Sequence, residues 1–384
     1  MLILTELELY TPRQVIPDAM LVIEGDRIMH AGPANGVPIP RHAQHLRLPG
    51  RRALPGFIDL HTHGLLGKDA FGAELDEVVR LLPRFGVTSF LATTVTLPMD
   101  NVLARLRAMD RVLQDPPAGA RCLGIHVEGN FLSPKRTGMA NAAWCQPLTP
   151  EKFESLQEAA GGRIKMVTFA PEEGCAMEMV TYLLKRGIVP SLGHSDATYE
   201  QAAEAVHLGL SHATHTFNAM SPLHHRKPGV VGAVLTFPQV TAQLIADGHH
   251  VHPGAMRLLL NAKGADGVCL VSDSAPFAAL PDGTYPWEGY MLIIKDGTCR
   301  LPDGTLAGAH ALLDTGFRTL VGTLGLPPSD AAVCAAEVPA RTLGLFGHKG
   351  QLLPGCEADI VLLDEAWQVE MTITGGEIVY RRGS

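Results

Sequence analysis

The chain has no CxxC pair, no apolar run long enough to cross a bilayer, and few aromatics, 5% of its residues. Its seven cysteines (122, 145, 175, 269, 299, 334 and 356) are odd in number and scattered. That pattern argues against a disulfide framework and against a cysteine-held zinc. Without a spanning run there is no transmembrane helix to expect. The opening stretch MLILTELELY carries Glu6 and Glu8 where a secretory leader would be basic, and it lacks a small-residue cleavage site. These absences lead to the expectation of a cytoplasmic protein. Positive charge is also in deficit, 31 Lys and Arg against 39 Asp and Glu, for a net charge of −8. A nucleic-acid partner is thereby excluded, since binding a phosphate backbone needs a basic face. A single phosphate is not excluded, because a few Arg and His groups suffice for one.

What the chain has in quantity is apolar residues, 46%, with only 18% charged. This is the balance of a compact globular protein without long disordered regions. A length of 384 residues calls for one large α/β domain plus something smaller. Both ends read as short strands. AMLVIEGDRIMHAG sets two apolar runs around Glu24-Gly25-Asp26-Arg27, a hairpin signal, and VEMTITGGEIVYRR turns at Gly375-Gly376. Residues 1–50 and 350–384 are therefore expected to form one small β-sandwich domain built from both termini. Between them, over 51–349, apolar runs such as TSFLATTV, IKMVTFAP and GVCLVSD alternate with helical stretches such as LDEVVRLLPRFG and TYEQAAEAVHLG. Repeated βα units with strands apolar along their length predict a parallel (β/α)8 barrel of the TIM type.

In such a barrel, chemistry sits at the C-terminal ends of the strands. The apolar runs end there in His61 and His63, Glu128, His194, His215, His250 and Asp273. Burying these groups unpaired would cost several kcal/mol each, roughly, and a metal ion would satisfy them together. His61 and His63 are i and i+2 on one strand and so share a side. His194 and His215 are separated by about one strand–helix–strand unit. Histidine and carboxylate donors suit zinc, or iron, manganese or cobalt, at one or two ions per chain. Against this stands the plain alternative that a histidine is a surface or hydrogen-bonded residue. His207, at helical spacing, is assigned to it, and His224, His249 and His252 read as loop residues near the site.

LPGFIDLHTHG, GIHVEGNFLSPKRTG, LGHSDAT, THTFNAMSPLHHRKPGVVGA, ADGHHVHP and LAG at 306–308 resemble, in order, the N-acetylglucosamine-6-phosphate deacetylases of the amidohydrolase superfamily. PGFIDLHTHG alone would indicate only the superfamily; THxFNAM followed by HHRKPG is far more specific. The resemblance implies hydrolysis of the acetamide of N-acetyl-D-glucosamine 6-phosphate to glucosamine 6-phosphate and acetate. It implies that Glu128, His194 and His215 hold the family's common metal, that Asp273 is the general acid/base, and that Asn218 and the backbone at Ala219 touch the substrate. Met139, Ala140, Leu306, Ala307 and Gly308 would also border the substrate. Arg226 and His250 would bind its phosphate, partly across the interface of a homodimer. His61 and His63, which some members lack, would hold a second ion, with Glu128 between the two.

The sequence departs from the family in places. Met139 and Ala140 stand where many members have a histidine that polarises the substrate carbonyl, a donor to be replaced by Asn141 or by a second metal. LLGKDAFG replaces a glycine-rich tract and puts Lys68 and Asp69 near the pocket mouth. Ala309 replaces a serine. The variation falls on loops that orient the sugar, so a related substrate such as N-acetylgalactosamine 6-phosphate is the first alternative. A cyclic-amide hydrolase comes next, although such enzymes usually place a carboxylated Lys where this chain has Glu128. A non-catalytic scaffold would have lost ligands, and none is missing.

Overall fold

The computed structural model describes residues 1–11, 14–35 and 39–383. Positions 12, 13 and 36–38, within the amino-terminal segment assigned to the small domain, lie outside the described residues. Eight parallel strands form the central sheet, each hydrogen-bonded to the next in chain order. They are β1 (Phe57–Thr62), β2 (Val87–Thr93), β3 (Arg121–Glu128), β4 (Ile164–Phe169), β5 (Val189–Leu192), β6 (His212–Ala213), β7 (Thr241–Ile245) and β8 (Val268–Val271). Every residue of β1, β2 and β8 is buried, as strands covered on both faces must be.

The helices between them follow their periodicity. Met99–Gln114 buries Val102, Leu106, Met109 and Leu113, one face at a spacing of three to four residues. Leu75–Leu81 continues as a 3-10 turn to Phe85 and stops at Gly86, whose φ of 78° is the left-handed cap. Tyr199–His207 opens with a reciprocal capping box between Thr198 and Gln201. His207 is exposed at its end.

The sheet closes where the strand ends carry chemistry. Thr62 bridges Ser274 in parallel fashion, the Asp273 N–H donates to the His61 carbonyl at 2.8 Å, and the His63 N–H donates to the Ser274 carbonyl at 2.9 Å. Buried Asp59 holds the same seam by accepting from the backbone N–H groups of His61 (3.1 Å) and Ser272 (3.2 Å).

The two chain ends meet in a seven-stranded sheet of order Glu377–Arg381, Val369–Thr374, Ile360–Leu363, Gln44–Pro55, Leu2–Thr11, Gln14–Glu24 and Arg27–Pro33. Both hairpins read from the sequence are present, Glu24 opposite Arg27 and Thr374 opposite Glu377. The strand IVLL is buried throughout because both its faces are covered. Ile360 and Leu362 enter the core of the small domain, while Val361 and Leu363 enter the core shared with the barrel. Each such side chain, fully buried, stabilises by about 1.5–3 kcal/mol. A charge at any of the four would have no wet side to reach. An aromatic series joins the units: Phe57 stacks on Phe317 (5.3 Å), Phe317 meets Trp367 (5.8 Å), and Trp367 meets Tyr10 edge-on (5.8 Å).

One element is additional to the expected plan. After β8 the chain builds a four-stranded antiparallel sheet from Gly283–Trp287, Tyr290–Lys295, Thr298–Arg300 and Leu306–Ala309. It stands over the strand ends and returns to the seam, where Ser274 bridges Ala309.

Candidate active site and metal centre

Glu128, at the end of β3, is the hub. Its Oε2 lies 3.0 Å from His61 Nε2 and 3.3 Å from His63 Nε2, while its Oε1 lies 3.0 Å from His215 Nε2 and 3.3 Å from His194 Nε2. Asp273 Oδ1 adds itself to the first pair, 3.1 Å from His63 Nε2 and 3.3 Å from His61 Nε2. The donors thus fall into two groups, His61–His63–Glu128–Asp273 and Glu128–His194–His215, sharing one carboxylate.

Backbone geometry aims these side chains. His194 (φ 48°), His215 (29°) and Asp273 (49°) all occupy the left-handed region, which is rare for residues other than glycine and is held only where the surroundings enforce it. The motif glycines are required sterically. Gly64, after His63, has φ 142°, and a Cβ there would lie 2.0 Å from the Lys68 carbonyl oxygen. Gly129, after Glu128, has φ 136°, and its Cβ would meet the Thr96 nitrogen at 2.6 Å. Asn130, at φ 64°, takes a conformation closed to proline, and its Nδ2 donates to the Leu97 (2.7 Å) and Trp144 (3.1 Å) carbonyls.

Hydrogen bonding tests whether these residues fit a metal. His194 Nδ1 lies 2.7 Å from the Arg136 carbonyl, which can only accept, so Nδ1 carries the proton and Nε2 of a neutral ring is bare. Yet that Nε2 faces His215 Nε2 at 2.9 Å, and His61 Nε2 faces His63 Nε2 at 3.2 Å. Four imidazole nitrogens thus converge on one another and on the two carboxylates, and a cation among them would satisfy the whole set at once. Glu128 Oε1 is buried without a hydrogen-bond donor. The electrostatics agree. Burial opposes charge on His61 and His63, but the Glu128 and Asp273 carboxylates outweigh it and lift the two imidazoles to about 9 and about 10. Burial would raise Glu128 and Asp273, but the surrounding imidazoles hold both below the usual carboxylate range. The pocket is built for positive charge, and nitrogen and carboxylate donors with an open side fit a divalent ion.

A cavity of about 260 Å³, room for one small ligand, opens over the cluster. His63, Glu128, His194, His215 and Asp273 reach it, together with Met139, Ala140, Asn218, Ala219, His250, Leu306, Ala307 and Gly308. His250 Nδ1 is 2.7 Å from Asp247 Oδ2, and this carboxylate, against the effect of burial, raises the imidazole above its ordinary value.

Several expected residues are placed elsewhere. Arg226 is exposed, does not line this chain's cavity, and has its Nη1 2.8 Å from His225 Nε2. Asn141 is exposed too, its Oδ1 accepting the Ala143 N–H at 3.0 Å, so it does not stand in for the missing histidine. Lys68 pairs with Glu74 and Glu77 away from the cavity. Asp69 acts on the cavity indirectly, by accepting from Trp287 Nε1 at 3.2 Å. His224 and His249 are exposed, and His252 caps the helix Pro253–Lys263. The sequence reading missed Trp287, Glu288, Tyr290 and Leu292, which form the cavity's outer wall from the added sheet.

A model of the amidohydrolase family matches residues 52–379. The N-acetylglucosamine-6-phosphate deacetylase of Bacillus subtilis (strain 168) is 36% identical, over 99% of this chain and 97% of that one. The N-acetylgalactosamine-6-phosphate deacetylase of Escherichia coli O157:H7 is 34% identical, over 84% of this chain and 86% of its own. Among solved structures, an aspartate-to-alanine mutant of N-acetyl-D-glucosamine-6-phosphate deacetylase from Mycobacterium smegmatis, in complex with N-acetyl-D-glucosamine-6-phosphate, superposes with a TM-score of 0.90. It is 30% identical, and the match covers 98% of this chain and 99% of that chain. The chain belongs to the N-acetylglucosamine-6-phosphate deacetylase family of amidohydrolases.

Proposed function

We propose that this enzyme hydrolyses the acetamide of N-acetyl-D-glucosamine 6-phosphate, giving glucosamine 6-phosphate and acetate. The observation that carries the reading is the division of the Glu128 carboxylate between two histidine pairs, with Asp273 beside them at the floor of a cavity sized for one sugar. Glu128, His194 and His215 would hold one divalent ion, and His61 and His63 with Glu128 and Asp273 a second. Zinc suits these donors, as do iron, manganese and cobalt. A divalent ion bound there supplies a water of lowered pKa and polarises the acetyl carbonyl.

The chain's own residues do the rest. Asp273 is ionised at neutral pH, held so by the imidazoles around it, and is the base that takes the proton of the attacking water. It returns that proton to the amide nitrogen, which leaves as an amine only once protonated. Asn218 and the Ala219 backbone border the sugar, and His250 meets the phosphate. Arg226, which does not line its own cavity, would serve the partner's phosphate site in a homodimer. Thr137, Gly138, Met139 and Ala140 form a wall without an imidazole, so the carbonyl-polarising charge that this wall lacks would be held at the His61–His63 group.

The described cysteines are all free, which supports a reducing, cytoplasmic setting. No helix of the described residues is long and apolar enough to cross a membrane. The galactosamine epimer is the second reading, favoured by the 34% identity to the Escherichia coli relative and by the altered Met139–Ala140 wall. The deciding experiment is acetate release from a panel of N-acetyl hexosamines with and without the 6-phosphate, run beside metal analysis. Turnover confined to the glucosamine phosphate is expected; equal turnover of unphosphorylated sugars would overturn the assignment. Two metal equivalents per chain, falling to one in a His61→Ala, His63→Ala variant, would support the paired site, and one in the metal-replete native protein would end it.

A further inference from the structure

Gln243 is fully buried on β7, the one polar side chain in the middle of the run AQLIA. Its Oε1 lies 3.2 Å from the backbone nitrogen of His215 and 3.1 Å from His61 Nδ1. A backbone N–H can only donate, so the amide atom facing it is oxygen, and the orientation of the side chain is fixed. That oxygen then requires the proton of His61 to sit on Nδ1. A ring that binds a metal keeps only one proton, here on Nδ1, so His61 Nε2, 3.0 Å from Glu128 Oε2, is the nitrogen offered for a ligand bond. The other end of the amide is used as well, Nε2 donating to His212 Nε2 at 3.1 Å. One uncharged side chain therefore acts on both donor groups around Glu128, setting the ring of His61 and pinning the left-handed backbone from which His215 projects.

We infer that Gln243 is a positioning residue for metal binding, holding the His61 group competent while anchoring His215 in the other. The inference rests on the two-ion reading above. Nothing in it requires Gln243 to touch substrate, and it does not line the cavity. A histidine ligand ordinarily hands its second N–H to such an acceptor, and loss of the acceptor weakens metal affinity by about ten- to a hundredfold.

Cobalt(II) titrated into the chelator-stripped full chain, followed by visible ligand-field absorption and metal analysis, tests this. The native chain is expected to take two equivalents. Gln243→Leu should take one tightly and the second at ten- to a hundredfold lower affinity, with an altered spectrum. Gln243→Glu, whose carboxylate can accept from both N–H groups, should restore the second equivalent. Two tight equivalents in Gln243→Leu, with native spectra, would overturn the inference and leave the two-ion reading standing. One equivalent in the native chain would overturn both. If Gln243→Leu does not fold, as read by circular dichroism, Gln243→Glu decides: two equivalents support the role and one overturns it.

Discussion

The backbone N–H of Asp273 donates to the carbonyl of His61 at 2.8 Å, and the Asp273 carbonyl accepts from Ala309 N–H at 2.7 Å. Both peptide groups of the proposed acid/base are thus tied into the seam that closes the barrel. Asp273 itself, 8% exposed, is held in a left-handed backbone that no flexible loop would maintain. The strain is stabilised by barrel closure, and what it positions is one carboxylate oxygen between the imidazoles and the cavity.

Asp273→Asn keeps the shape and the seam but cannot take a proton. We expect kcat for acetate release to fall by about a hundred- to ten-thousandfold, with KM changed little. The ion of the Glu128–His194–His215 group should remain, as metal analysis would show. Turnover near the native rate would remove Asp273 from the mechanism.

Arg226 is exposed in this chain, and a role in phosphate binding therefore depends on a second copy. Arg226→Ala should raise KM for the phosphorylated sugar by roughly ten- to a hundredfold, the loss of one charge-assisted bond of about 1.5–3 kcal/mol. The unphosphorylated sugar should be indifferent to it. Mixing Arg226→Ala with Asp273→Asn chains should recover one competent site per mixed dimer, and no recovery would place Arg226 elsewhere.

The two-carboxylate, four-histidine centre was legible because strand ends in apolar runs leave few bland explanations for repeated His, Glu and Asp. The fold was legible for the same reason: continuous apolar strands separated by helices with 3.6 periodicity allow little else. The outer wall was not. Trp287 and Tyr290 lie on short, half-exposed strands, one containing Pro286, and Glu288 in the turn between them, a stretch whose pattern gives no clean alternation. Gln243 was passed over as one polar residue in a strand, although a buried amide always demands partners. The position of Arg226 is beyond a single chain's sequence, since its proposed partner is another copy.

His250 provides a pH signature. Asp247 raises its pKa above the ordinary value, with a smaller contribution from Asp273, while burial and Arg300 oppose the charge. A raised histidine is cationic below its pKa and loses that charge as pH rises through it. KM for the phosphorylated sugar should therefore rise on the alkaline side of pH ~6.5, the unperturbed histidine value. In Asp247→Asn, which keeps an acceptor for the His249 and His250 N–H groups, burial dominates and the rise should begin at lower pH. The phosphate's own titration is common to both enzymes and cancels. Coincident KM profiles would show that His250 does not carry the effect.

The outer wall is fastened to the barrel by Asp69, whose Oδ2 accepts from both Trp287 Nε1 and Arg105 Nη1 at 3.2 Å, while Arg105 also pairs with Glu288. Arg105 thus joins the wall to the helix Met99–Gln114, beside the packing of Leu292 and Ile294 on Ala275 and the stacking of Tyr285 on Phe277. Arg105→Ala removes its bonds to Asp69, Glu288 and the Phe71 carbonyl without touching a proposed ligand. A partly buried pair of this kind contributes about 1 kcal/mol. KM should accordingly rise severalfold with kcat nearly constant and metal content unchanged. Amide hydrogen exchange should quicken in residues 283–295 and not in the barrel strands. Unchanged exchange there, with unchanged KM, would mean that the hairpin holds its place by packing alone.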